Sequence, residues 1–154
     1  MSKHLIVFVC TGNLCRSPMA EYLFRNRLGA GSEWDVRSVG ISASSDMPAS
    51  PGGVDALKEK NIDMVAHRSR PLDRKVVDAA SLIVVMTASH RAQIRTLFPD
   101  VMEKVFLLKP FNPAAADNDI EDPIGMSLDA YRGIRDEIDA ALPGLIEFTK
   151  NLDL

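Results

Sequence analysis

Two cysteines, three histidines and one tryptophan are spread over 154 residues, and each scarcity removes a class of protein. Cys10 and Cys15 stand five residues apart, which is no disulfide framework, so a reducing cytoplasm is expected. His4, His67 and His90 are scattered and lack ligand spacing with the cysteines, so no metal or other cofactor is expected. There is no basic stripe and no aromatic-basic interleaving, and the net charge is −3, which argues against a nucleic-acid partner. No long hydrophobic run is present. The segment Leu5–Val9 is too short for a membrane span or signal peptide, and the only basic residues ahead of it are Lys3 and His4. Repeats, low-complexity tracts and linkers are also missing. What remains has the hydrophobic (46%) and charged (25%) fractions of a soluble globular protein, read as one domain over residues 1–154.

Apolar runs alternate with helical patterns along the chain. Residues 4–9 are dense in apolar and β-branched types without alternation, as in a strand buried on both faces. A helix follows from near Pro18 to Leu28, ended by Gly29, and then a strand Trp34–Val39 ended by Gly40. A loop over 41–51 leads to a helix from Pro51 to about Lys60, an irregular stretch from Ile62 to Arg70 and a short helix Leu72–Ala80. The third strand is Ser81–Met86, followed by a helix over 88–97 and a fourth strand Val105–Leu108. A long loop, Lys109–Met126, precedes a helix from about Ser127 that Pro143 should kink or break. This order predicts a doubly wound α/β fold: a parallel sheet, right-handed crossovers, the first strand central, and a ligand loop at its carboxyl end.

That loop is Cys10-Thr11-Gly12-Asn13-Leu14-Cys15-Arg16-Ser17-Pro18. A strand runs into it and a helix runs out. Successive backbone N–H groups and a helix N-terminus together form a concave site for an anion. Such a setting favours thiolate over thiol at Cys10. Arg16 supplies a planar fork suited to two phosphate oxygens. Ser17 can donate to the sulfur, and Gly12 and Asn13 are the types that enter left-handed backbone most readily. On the far side of the chain, Asp122 precedes Pro123, which keeps it extended and its carboxyl at a set angle. It is the candidate proton donor for a departing group, with Asp117, Asp119 and Glu121 as competitors. A cluster of carboxylates there makes each acid harder to ionise.

The segment Val9–Pro18, with Asp122-Pro123, resembles the low-molecular-weight protein tyrosine phosphatase family, which also holds arginine phosphatases and arsenate reductases. The resemblance extends over nearly the whole chain. It implies a three-layer α/β/α architecture with a four-stranded parallel sheet in the order 2-1-3-4 and the phosphate-binding loop after strand 1. It implies Cys10 as nucleophile, Arg16 as phosphate clamp and Asp122 as general acid and base. Thr11, Gly12, Asn13, Leu14, Cys15, Arg16 and Ser17 would bind phosphate, with no metal required. Asn13, Ser17, Ser38 and His67 match positions of a hydrogen-bond network that stiffens the loop. Cys15 matches a redox partner able to close a disulfide with Cys10.

The substrates implied are phosphorylated proteins, and the chain is expected to be a monomer or weak dimer. Arsenate reduction in this superfamily needs further cysteines, which are missing here. Between the phosphatases the signals divide. The stretch Gly40–Pro48 has no aromatic residue, and Ile124-Gly125 follows Pro123; with Tyr131 these resemble the arginine-phosphatase branch. Leu14 stands where that branch has threonine, and resembles the tyrosine-specific members. Because Leu14 touches the reacting centre while the rim can vary, phosphotyrosine is expected, with phosphoarginine as the alternative. The rival from another class is a phosphate-binding module without turnover, but binding alone needs neither nucleophile nor acid.

Overall fold

The computed structural model describes residues 3–152, so the two ends of the expected 1–154 span lie outside the described residues. Its strands are β1 (His4–Cys10), β2 (Trp34–Gly40), β3 (Leu82–Val85) and β4 (Val105–Leu107). Its α-helices are α1 (Arg16–Leu28), α2 (Pro51–Lys58), α3 (Arg74–Ala79), α4 (Ala88–Leu97) and α5 (Leu128–Lys150). The strands form one sheet in the order β2-β1-β3-β4, all parallel. The expected order 2-1-3-4 is borne out.

Side chains along β1 point alternately to two cores. Ile6 and Phe8 join Met19, Leu23 and Phe24 of α1, Ala56 and Leu57 of α2, and Ile138, Leu142 and Leu145 of α5. Leu5, Val7 and Val9 join Val77 of α3 and Ile94 of α4 on the other face. This is why β1 carries no polar residue after His4: both of its faces are covered. Phe8 packs edge-on against Phe24 at 5.5 Å between ring centroids, and both are fully buried. Burial of one such ring stabilises the fold by about 1.5–3 kcal/mol. Among the described residues no helix is long and apolar enough to cross a membrane.

Two local features depart from expectation. The first helix begins at Arg16, not near Pro18, because the loop's last turn is already helical and Met19 N–H donates to the Cys15 carbonyl. Pro18 still lies in the first turn, where its missing N–H costs nothing. The last helix runs through Pro143 without a break, since Ile138, Ala141, Leu142 and Leu145 on both sides of it are fully buried. At Gly144 the chain of Phe111 crosses so closely that a Cβ would lie 2.0 Å from the Phe111 oxygen. The long segment after β4 starts with a 3₁₀ turn, Lys109–Phe111, and is anchored further on by fully buried Ile120, whose N–H donates to Met86 O at 2.9 Å.

Gly40 closes β2 directly beside Cys10 at the end of β1. A Cβ there would sit 2.6 Å from the Thr11 oxygen and 2.8 Å from the Asn13 nitrogen, both backbone atoms that cannot move without the loop. Gly40→Ala is therefore expected to cost about 1–3 kcal/mol of stability. Urea unfolding midpoints measure this, and inorganic phosphate binding should weaken in parallel because the displaced atoms belong to the anion nest.

Candidate active site

β1 ends in Cys10, α1 begins at Arg16, and the five residues between curl over the carboxyl end of the sheet. The buried Cys10 Sγ lies 2.9 Å from Ser17 Oγ. Asn13 adopts the left-handed backbone with φ 57°. Gly12 does not: its φ is not positive, and a Cβ there would meet only Leu14, at 3.8 Å. Of the two residues expected to use left-handed freedom, one does.

Asn13 is the hub of the loop's support. Its Nδ2 donates to Ser17 Oγ at 2.8 Å and to Ser38 Oγ at 2.9 Å, while its Oδ1 accepts from the Arg70 N–H at 2.9 Å. The Asn13 carbonyl lies 2.9 Å from His67 Nε2, and since a carbonyl can only accept, that nitrogen carries the proton. Ser38 Oγ in turn donates to Glu21 Oε1 at 2.6 Å. The four expected residues are thus brought together, and Glu21 joins them through a bond that sequence reasoning did not find. His67 is buried, and that burial holds its proton affinity below the ordinary histidine range.

Arg16 is buried beneath the loop. Its Nη1 donates to the Ile120 carbonyl at 2.9 Å and its Nη2 lies 3.5 Å from Asp122 Oδ2. Its Nε is buried with no partner among the described residues. A cavity of about 200 Å³ opens here, lined by Cys10, Thr11, Gly12, Leu14, Cys15, Arg16, Asp122 and Ile124. A larger hollow of about 470 Å³ beside β4, between Phe106 and Phe111, carries no cysteine, histidine or aspartate.

The four acidic candidates separate by position. Asp122 alone lines the cavity. Asp117 pairs with Lys109, and Asp119 Oδ1 accepts the Ala88 N–H at the start of α4, at 2.9 Å. Two of the carboxylates expected around Asp122 are thus engaged elsewhere, and the Arg16 cation lies within ion-pair distance of Asp122. Asp122 Oδ1 also accepts from the Ile124 N–H at 3.1 Å, a turn formed across Pro123.

Cys15 and Cys10 are both free thiols. Cys15 Sγ lies 3.4 Å from Tyr131 Oη, and burial raises the Cys15 pKa. Burial likewise pushes the Tyr131 phenol up to about 12, so both groups are neutral at pH 7. Tyr131 is held by close packing: a Cβ on Gly52 would lie 2.4 Å from its ring.

His90, passed over as one of three scattered histidines, is also at the site. It is 3% exposed, and its Nε2 lies 2.8 Å from Thr11 Oγ1. Its pKa is lowered to about 4, first by burial and then by the Arg16 charge. The signal was its place on the helix that follows β3, at the carboxyl edge of a doubly wound sheet.

An anion nest at the central strand's carboxyl end, with a cysteine at its base and an acid at its mouth, defines a cysteine-dependent phosphoester hydrolase. The family model described as low molecular weight phosphotyrosine protein phosphatase matches residues 5–153, and the chain belongs to that family. A protein-arginine-phosphatase of Geobacillus stearothermophilus is 42% identical over 92% of this chain and 93% of its own. A probable low molecular weight protein-tyrosine-phosphatase, EpsP, of Ralstonia solanacearum is 36% identical over 90% of this chain and 93% of its own. Among solved structures, a YwlE arginine phosphatase variant with a phosphorylated active-site serine in place of cysteine superposes with a TM-score of 0.87. It is 40% identical, and the match covers 96% of each chain. The expected family and fold are borne out.

The buried histidines have a consequence for stability. Unfolded, His90 binds a proton near its ordinary pKa of 6.5, whereas folded it does so only near 4. Between these values the unfolded chain holds more protons, so stability must fall as pH falls from about 6.5 towards 4. His67, also depressed, acts in the same direction. Urea midpoints between pH 7 and 4.5 should drop for the native chain, and drop less for His90→Gln.

Proposed function

We propose that the chain, acting as one domain over residues 1–154, hydrolyses phosphotyrosine on proteins through a cysteinyl-phosphate. The Cys10 thiolate attacks phosphorus, the bond from phosphorus to the tyrosyl oxygen breaks, and Asp122 gives its proton to that oxygen. Water then attacks the cysteinyl-phosphate, Asp122 takes up its proton, and inorganic phosphate leaves as the thiolate is restored. Arg16 and the N–H groups from Thr11 to Ser17 hold the equatorial oxygens throughout. The unpartnered buried Arg16 Nε supports this reading, because a bare buried donor costs about 1–3 kcal/mol and a bound oxyanion would satisfy it. Asn13, Ser17, Ser38 and His67 hold the nest open, and Cys15 serves as redox partner to Cys10. The protein works in the cytoplasm as a monomer or weak dimer.

The substrate choice rests on the cavity wall. Leu14 and Ile124 give it apolar sides, and Asp122, already beside Arg16, is its one carboxylate. A phenyl ring loses little by entering such a slot, while a guanidinium group would have to shed water without enough acceptors. Phosphoarginine is the second reading, favoured by the 42% identity to a protein-arginine-phosphatase and by the lack of an aromatic residue in the lining.

Cys10→Ser should abolish turnover yet retain phosphate-analogue binding; substantial residual activity would remove Cys10 as nucleophile. Asp122→Ala should slow aryl phosphates with poor leaving groups by about 10²–10⁴, and activated ones far less. Equal losses for both would move the acid elsewhere. Phosphate release from a phosphotyrosine peptide and a phosphoarginine peptide, side by side, decides between the substrates.

A further inference from the structure

The interaction between Thr11 and His90 is outside the roles assigned so far. Thr11 follows the nucleophile in sequence and lines the cavity, while His90 comes from α4 on the other side of the sheet's carboxyl edge. The backbone that carries His90 is pinned twice. Thr87 Oγ1 accepts the His90 N–H at 3.1 Å, and Asp119 Oδ1 accepts that of Ala88. Asp122 follows two residues after Ile120, whose carbonyl accepts from Arg16. His90 thus stands on a helix end that is tied to the acid-bearing segment, and reaches across to the mouth of the nest.

The ring can carry its one proton on either nitrogen. Nδ1 is buried with no partner among the described residues, and Nε2 meets Thr11 Oγ1 at 2.8 Å. A proton on Nδ1 would leave an N–H donor bare in the interior, which proteins almost never tolerate. A proton on Nε2 leaves only a lone pair unmatched there, and makes Nε2 the donor to Thr11 Oγ1. With its oxygen engaged as acceptor, the threonine hydroxyl has its own proton free to offer elsewhere.

We propose that His90 is a positioning residue for the reaction: its Nε2–H holds Thr11 Oγ1 so that the threonine hydroxyl donates to a phosphoryl oxygen at the cavity mouth. Thr11 then contributes a side-chain donor beyond the backbone nest, and α4 takes part in phosphate recognition without touching it. The donor acts on the phosphoryl group in the bound substrate, in the transition state and in released phosphate alike. Its loss therefore appears in KM and in phosphate affinity more than in kcat.

This rests on the reading of the cavity as a phosphoryl site, which inorganic phosphate binding to Cys10→Ser tests by itself. Failure of phosphate to bind that variant would overturn the site reading and this proposal with it. The proposal proper is tested with Thr11→Val, His90→Leu, their double variant, His90→Gln and His90→Asn. The readouts are inorganic phosphate Kd by calorimetry, and KM and kcat per active site counted by burst titration. Thr11→Val and His90→Leu should each raise phosphate Kd and KM roughly tenfold, as for loss of one hydrogen bond to a charged group. The double variant should be no worse than either single one, since both remove the same bond. Glutamine, whose amide nitrogen reaches the position of Nε2, should restore most of the affinity; the shorter asparagine should not. Unchanged phosphate affinity in Thr11→Val, or multiplying losses in the double variant, would overturn the proposal. Should His90→Leu fail to fold, Thr11→Val and the contrast between glutamine and asparagine decide it.

Discussion

The hydrogen bonds made by the Asn13 side chain are the constraint on which the site depends. A loop whose N–H groups converge on one point is unfavourable without an anion, because the dipoles repel each other and lack acceptors. It must be held open from outside. Asn13 does so with a left-handed backbone and a side chain that spends both its donor and its acceptor capacity on Ser17, Ser38 and the Arg70 N–H. Ser17 brings that order to within 2.9 Å of the Cys10 sulfur, and Ser38 carries it on to Glu21. The nest is preorganised by buried polar bonds, not by apolar packing.

The sheet supplies the frame. β1 is covered on both faces, so its carboxyl end is fixed, and Gly40 at the end of β2 lets the loop pass against it. The acid-bearing segment is fastened separately: Ile120 N–H donates to Met86 O just past β3, Ile120 O accepts from Arg16, and Asp119 accepts from the Ala88 N–H that starts α4. That segment is therefore placed against the loop that carries Cys10 and Arg16 by one backbone hydrogen bond, Ile120 to Met86, and by side-chain bonds from Arg16 and Asp119.

Much of this was legible in the sequence, for reasons that can be named. β1 declares itself because two-sided burial leaves no polar residue after His4, and the loop because glycine, asparagine and Ser-Pro mark a turn entering a helix. Asp122 is marked in the sequence by the proline that follows it and by the family resemblance, and the fold adds the separate partners of its competitors, Asp117 beside Lys109 and Asp119 at α4. Position in the chain does not encode those pairings. At Pro143 the helix does not break, because tertiary burial of α5 on both sides of it outweighs local propensity. His90 and Glu21 were missed because their partners are 79 and 17 residues away in the chain, at Thr11 and Ser38, and no local pattern marks either bond.

Phosphoryl transfer to Cys10 is the step on which the proposed reaction depends. The most direct measurement is rapid acid quenching of the Asp122→Ala variant during turnover of an activated aryl phosphate, followed by peptide mass spectrometry. Loss of the base for the second half-reaction should let the intermediate accumulate, and one phosphoryl group should be found on the peptide bearing Cys10. Turnover with no phosphoryl group on Cys10, or with the group on another residue, would contradict it.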